Sequence, residues 1–293
     1  MTSKRFKFFI SSNKKKIRYQ LLNREKDLFI IFFHGFMSDI TGEKPSTFRK
    51  YCRKKKIRYQ LLNKEKDLFI IFFHGFMSDI AGEKPSTFRK YCRKKKIGFL
   101  TFEYSGHGKS SGKFIEGNIS KWSNDAKQII KTKIKGKKKL IFIGSSMGSW
   151  IALNLFSVFK KQIKSFIGIS SAPEFLEKLM WKKFTKKIKK IIMADKIYHL
   201  EESEYTYPIT KQLIMNGRKN RVLNKKINLN IPITLFHGLK DEVVPLVFSK
   251  KILKIFPKAK KKLIKIKNGN HSLSKKNDLK KICKELDCII RLF

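Results

Sequence analysis

The sequence predicts an α/β fold, a mostly parallel central sheet flanked by helices. Two observations carry that prediction. Short β-like apolar runs, FLTFE at 99–103, LIFIG at 140–144, SFIGI at 165–169, ITLFH at 233–237 and KLIKIK at 262–267, alternate with helical patterns. Parallel strands need long crossover connections, whereas hairpins do not, and the spacing here leaves room for helices. The chain also has the size for such a fold: 293 residues, 41% of them hydrophobic, can bury a sizeable core.

Taken in order, the N-terminal part is a tandem repeat. Residues 14–53 recur at 54–93 with two changes, Arg24 becoming Lys64 and Thr41 becoming Ala81, and KKKI stands at 14, 54 and 94. Two nearly identical copies followed by unrelated sequence are no solenoid, which needs three or more units to bury a continuous core. Recombination between short similar stretches accounts for them. A β-α-β unit needs strand, crossover helix and strand in succession, and the second copy runs straight into the strand beginning at Gly98. Copy two is therefore expected in the core. Copy one then carries a spare LFIIFF strand, placed at a sheet edge or outside it. The alternative puts copy one in the core and loops out copy two.

Downstream, Trp122, Ala126, Ile129, Ile130 and Ile134 follow i, i+4, i+7, i+8, i+12, one face of an amphipathic helix. Further helices are expected after Pro245 and after Ser274. Residues 173–230 break the rhythm with helical patches at Glu174–Lys190 and Ile209–Gly217. They are expected to form a helical cap over the strand ends, the alternative being one long crossover. The expected domains are an N-terminal segment at 1–53, a core from 54–172 and 231–293, and the cap at 173–230.

Composition excludes several classes. Sixteen Gly and four Cys fit neither collagen nor a disulfide scaffold. No apolar run approaches the roughly 18 residues of a spanning helix, so no transmembrane segment is expected. Cys52 and Cys92 are repeat copies, and Cys283 and Cys288 are five apart; neither spacing is that of a metal site or disulfide framework. The N-terminus lacks a secretory cleavage pattern, and a cytoplasmic location is the expectation. With 69 Lys plus Arg against 22 Asp plus Glu, the net charge is +47. Lysine clusters run throughout the chain without a nucleic-acid motif, so the charge is read as compositional, and no specific nucleic-acid partner is expected.

The chemistry is concentrated in a few motifs. Gly144-Ser145-Ser146-Met147-Gly148 follows the strand LIFIG and precedes a helical stretch, so its central serine sits on a sharp strand-to-helix turn with Oγ exposed. A serine hydroxyl needs a base and an orienting acid. Among six histidines, His271 in Asn268-Gly269-Asn270-His271-Ser272 lies in a loop late enough to follow the acid. Asp241 is the acid candidate, with Glu242 as its rival. The order Ser146, Asp241, His271 is that of the α/β-hydrolases. His74-Gly75-Phe76 follows LFIIFF, where a second backbone donor is needed; the Phe76 and Met147 amides are the candidate oxyanion hole. Copy one duplicates that turn as His34-Gly35-Phe36. Ser105-Gly106-His107-Gly108-Lys109-Ser110 fails as a phosphate loop, because Glu103 stands where the first glycine is required.

From Leu68 to about Ile290 the sequence resembles the α/β-hydrolase superfamily. FEYSGHGKSSG, KWSNDA, IFIGSSMGSWIAL, YPITKQLIMNGR and ITLFHGLKDEVVP are similar to the palmitoyl-protein thioesterase and acyl-glucuronide esterase branch. The resemblance implies an α/β-hydrolase fold and a triad of Ser146, Asp241 and His271. The expected function is hydrolysis of carboxylic esters or thioesters through an acyl-enzyme, on a small-molecule or acyl-protein substrate, with no metal or organic cofactor. Alternatives are a general carboxylesterase, an acylglycerol lipase, a peptidase or, from another class, a non-enzymatic cationic module binding polyanions or membranes.

Overall fold

The structure, a computed structural model, describes residues 7–10, 16–19, 56–202 and 205–293. The chain divides into two units, residues 1–56 and 57–293. In the first, β1 (Lys7–Ile10) and β2 (Lys16–Tyr19) pair antiparallel. The spare strand LFIIFF of copy one, its His34-Gly35-Phe36 turn and its pairing lie outside the described residues.

The second unit is built on a seven-stranded sheet. In chain order its elements begin with β3 (Tyr59–Leu62), β4 (Leu68–Phe73), α1 (Glu83–Lys95) and β5 (Gly98–Phe102). They continue with α2 (Ile119–Lys133), β6 (Lys139–Ser145), α3 (Met147–Asn154) and β7 (Ile163–Ile169). After an insertion come β10 (Pro232–Gly238), α6 (Val247–Lys254), β11 (Lys260–Ile266) and α7 (Lys276–Ile290). The spatial order is β11-β10-β7-β6-β4-β5-β3. All neighbours are parallel except β3, which pairs antiparallel with β5 from Tyr59↔Phe102 to Leu62↔Phe99.

Why LFIIFF takes an interior place in the sheet follows from its chemistry. Five consecutive apolar residues, Phe69 to Phe73, are all buried, so both faces must be covered. Alternate residues serve opposite faces: Phe69, Ile71 and Phe73 pack with Trp122, Trp150 and Phe166 on one side. Ile70 and Phe72 pack with Phe88 of α1 and with Leu279, Ile282 and Leu286 of α7 on the other. Both edges are less apolar. β3 is only partly buried, and β11 exposes Lys260, Lys261 and Lys262, charges that discourage edge-to-edge pairing.

The sequence signals for α1 and α2 are local. Lys96 closes α1 in the left-handed conformation (φ 54°), with its own amide bonded to Arg93 and the Ile97 amide bonded to Cys92. Asn118 caps α2 by accepting from the Lys121 amide at 2.9 Å. β3 was not among the strands read from the sequence, because an edge strand of four half-exposed residues leaves no continuous apolar run.

The insertion at 173–230 is not purely helical. It holds a π-turn at Leu176–Met180, a 3-10 turn at Trp181–Lys183, α4 (Lys186–Met193), an antiparallel hairpin of β8 (Tyr198–Glu202) and β9 (Tyr205–Ile209), and α5 (Lys211–Lys219). The hairpin departs from the expected helical cap for a visible reason: Tyr198 and Leu200 are half-buried while His199 and Glu201 are exposed, the period of two that favours a strand. The expected Glu174–Lys190 helix is broken where Phe184 is extended and Thr185 caps α4 afresh. Glu174 fastens both ends of the insertion, since its Oε1 accepts from the Val222 and Leu223 amides at 2.9 and 2.8 Å. The YPITKQLIMNGR segment docks α5 on the body: Asn216 Oδ1 accepts from the Ser120 amide at 2.8 Å, and Gln212 Nε2 donates to the Ile115 carbonyl. Among the described residues, no helix is long and apolar enough to cross a membrane.

Candidate active site

Parallel strands end on the same side of the sheet, and the loops after β4, β6, β10 and β11 converge there. Ser146 occupies the turn between β6 and α3 with φ 51° and ψ −119°, a conformation costly for any residue with a Cβ. The flanking glycines make the turn sterically feasible. A Cβ on Gly148 would run into the Phe73 carbonyl, and one on Gly144 into the Ser149 backbone. The turn is also tied into the sheet, since the Ser146 amide bonds to Ile169 O at 2.9 Å and its carbonyl accepts from Ala172.

His271 bridges the other two residues. Its Nδ1 donates to Asp241 Oδ2 at 2.9 Å, which leaves Nε2 with a lone pair to accept the Ser146 hydroxyl at 3.1 Å. Asp241 has a fully buried side chain. Burial alone would push its carboxyl up, but the hydrogen bond and charge of His271 and the Val244 amide outweigh that and hold it below the ordinary carboxylate range. Its Oδ1 also accepts from the Val243 and Val244 amides at 3.0 and 2.8 Å. Glu242, the rival acid, is exposed on the cavity wall; the carboxylate that meets His271 is that of Asp241.

The His74-Gly75-Phe76 turn reaches the serine: a Cβ built on Gly75 would stand 3.6 Å from Ser146 Cβ. Met147 is the first residue of α3, so its amide belongs to the open N-terminal turn of that helix. The Phe76 ring is held between the body and the insertion, with centroids 5.1 Å from Phe114, 5.2 Å from Phe175 and 5.7 Å from Tyr207. Desolvation lowers His74 to about 4 and His107 to about 3, so both imidazoles are neutral at physiological pH. In the Gly106–Ser110 loop the Lys109 amide donates to the buried Glu103 carboxylate at 2.7 Å, and Arg58 pairs with it at 2.9 Å. That loop closes on a carboxylate of its own, an arrangement unsuited to cradling phosphate.

Two residues near the trio escaped the sequence reading. His237 Nε2–H donates to the Val244 carbonyl at 3.0 Å, so Nδ1 accepts from Ser249 Oγ at 2.9 Å, and the buried ring braces the Asp241 turn. Its signal was present as His237 four residues before Asp241. Lys84, at the start of α1, donates to the Ser272 carbonyl and, at 2.8 Å, to Ser274 Oγ in the His271 loop. In a chain this rich in lysine, no sequence signal singles it out.

Above Ser146 opens a cavity of about 820 Å³. Phe175, Leu179, Met180, Phe184, Ile188, Tyr198, Leu200 and Tyr207 from the insertion line one side, and Ser78, Asp79, Glu83, Lys84, Ser272 and Ser274 line the other. Of the insertion's lysines, Lys183 lines it, whereas Lys182, Lys186, Lys187 and Lys190 are exposed residues outside its lining.

The parallel sheet, the strained serine turn and the Ser-His-Asp contact are those of the α/β-hydrolase fold. A family model described as "Serine aminopeptidase, S33" matches residues 64–206. The chain is similar to palmitoyl-protein thioesterase ABHD10, mitochondrial. The human protein is 26% identical over 194 residues, 65% of this chain and 62% of the relative. The protein of Rattus norvegicus is 30% identical over 149 residues, 50% of each. The structure of alpha/beta hydrolase domain-containing protein 10 from mouse superposes with a TM-score of 0.71 at 26% identity, covering 81% of this chain and 94% of that one. The chain spans about three fifths of the length of the curated relatives it matches.

Proposed function

We propose that the protein hydrolyses carboxylic esters or thioesters through an acyl-enzyme on Ser146, with acyl thioesters of lipidated proteins or small molecules as its substrate class. The single observation that carries this reading is His271 standing between Ser146 Oγ and Asp241. Ser146 Oγ attacks the acyl carbon as its proton passes to His271 Nε2, and Asp241 stabilises the imidazolium that forms. The amides of Phe76 and Met147 hold the tetrahedral oxyanion, a contribution of roughly 3 kcal/mol per donor in comparable sites. Collapse expels the alcohol or thiol, which takes the proton from His271. Water, deprotonated by the same imidazole, then attacks the acyl-enzyme and releases the acid and free Ser146.

The acyl chain fits the insertion side of the cavity, where aromatic and aliphatic side chains offer an apolar lining. Thioesterase preference is supported by the names of the relatives, and that lining by itself supports an acyl chain of either ester type. A general carboxylesterase would use the same trio and differ only in its substrate profile.

The test is active-site labelling. A fluorophosphonate should label the wild type and leave Ser146→Ala unlabelled, with hydrolysis of p-nitrophenyl esters lost to the level set by binding alone, about 10⁴-fold or more. Near-normal turnover in Ser146→Ala would overturn the assignment, and a wild type that is neither labelled nor active would return the cationic binding module to consideration.

A further inference from the structure

The loop that carries His271 is weakly held by its own sequence. Leu273 adopts φ 45°, a left-handed conformation that a leucine takes only when its surroundings impose it, and its side chain is fully buried. Within the loop, Asn270 Oδ1 accepts from the Leu273 amide at 3.2 Å, and Ser272 and Ser274 bond to one another. Two elements tie it from outside: the turn after β10, where the Lys240 amide donates to the Gly269 carbonyl and Asp241 accepts from His271, and α1, where Lys84 Nζ donates to the carbonyl of Ser272, next to His271, and to Ser274 Oγ. Lys84 is the second residue of α1, and α1 is the element into which the Phe76 turn runs.

We propose that Lys84 is a positioning residue: its ammonium ties the His271 loop to the helix that follows the Phe76 turn, so that base and oxyanion donor are held in register over Ser146. The inference rests on the reading of Ser146 as nucleophile. Lys84 is placed to act through His271, since both of its contacts are to residues within three positions of that imidazole.

A carbonyl and a hydroxyl stabilise an ammonium less than a carboxylate would, and burial lowers the Lys84 pKa to about 8. Below that pH the ammonium is formed and the tie is charge-assisted; above it the neutral amine donates more weakly. The other ionisable groups lining the cavity are Asp79 and Glu83 near Lys84 in sequence, His74 after β4, Glu242 and His271 on the facing loops, and Glu201, Lys183, Tyr198 and Tyr207 from the insertion. His271 is itself the proposed base, so substitution at position 84 must separate its contribution from that of Lys84.

Three variants with kcat, KM and fluorophosphonate labelling rate measured across neutral and alkaline pH make the test. Lys84→Met keeps the length and apolar stem of the side chain. It should lower kcat and the labelling rate together by about tenfold or more, because small misplacements of a catalytic group are costly, with KM changed by less than about twofold. The wild type should show an alkaline fall in kcat near the Lys84 pKa, and Lys84→Met should lose it. Lys84→Arg, charged throughout, should recover most of the activity and move that fall to higher pH. A Lys84→Met enzyme with kcat within about twofold of wild type, or with the same alkaline limb, overturns the inference.

Should Lys84→Met fail to fold, Ser274→Ala decides, since it removes one acceptor and keeps the lysine. It should shift the alkaline limb to lower pH, and an unshifted limb counts against Lys84. Full labelling of Lys84→Met alongside an unlabelled Ser146→Ala would sink the positioning role and leave the proposed function standing, whereas labelled Ser146→Ala would sink both.

Discussion

Asp241 and Glu242 are adjacent carboxylates, and geometry separates them. The Asp241 side chain is fully buried, takes the His271 Nδ1–H at 2.9 Å and accepts from two backbone amides, while Glu242 is exposed. An acid in this position fixes the imidazole tautomer and stabilises its charged form. Asp241→Asn is therefore expected to lower kcat by about 10⁴-fold at neutral pH, since the amide can donate to Nδ1 and turn the lone pair the wrong way. Glu242→Gln should change kcat by less than about twofold, as an exposed surface position does. Steady-state kinetics of the two variants, with circular dichroism as a folding control, provide the comparison; the reverse ranking would make Glu242 the acid. The trio was legible in the sequence because the chemistry demands particular residue types in a particular chain order. Lys84 and His237 were not, since they act through backbone carbonyls and neighbouring hydroxyls that only the folded chain brings near.

At the scale of elements, what could be read depended on burial. β4, β6, β7 and β10 are covered on both faces and announce themselves as continuous apolar runs. β3 is half-exposed at an edge, and the β8–β9 hairpin packs through alternate residues only, so neither gave such a run. The repeat gives this scale its prediction. Residues 57–102, from copy two and the strand beyond it, supply β3, β4, α1 and β5 to the seven-stranded sheet. Deleting residues 14–53 removes none of these elements and leaves them contiguous. The deletion should keep ester hydrolysis within about twofold of the full chain, and soluble yield should hold or rise as an apolar β-prone run is removed. Loss of folding would show that copy one is built into the sheet. The same reasoning gives Glu174 weight: removing its carboxylate with Glu174→Ala leaves the Val222 and Leu223 amides unpaired, at a cost of about 1–3 kcal/mol each where they stay buried.

The whole molecule carries +47, yet the cavity wall does not share that excess. Its ionisable groups include four carboxylates, Asp79, Glu83, Glu201 and Glu242, beside the ammonium groups of Lys84 and Lys183 and the imidazoles His74 and His271. Lys84 is moreover engaged with Ser272 and Ser274. Anionic substrates should therefore be drawn toward the protein by its long-range field without finding a strong anion site inside. Such a field acts over about 8–10 Å at ordinary ionic strength and shrinks to about 3 Å at 1 M salt. For an acyl-coenzyme A, kcat/KM should fall as salt rises, through KM or the association rate, while kcat stays level. A neutral p-nitrophenyl ester of the same acyl chain should respond little. Chain length should act independently, each methylene seated against Phe175, Leu179 and Phe184 contributing up to about 0.8 kcal/mol until the lining is filled. Measuring both series at low and high salt separates the two effects. A preference for the anionic series that survives high salt would mean that the cavity contains an anion subsite after all, with Lys183 the first cation to substitute.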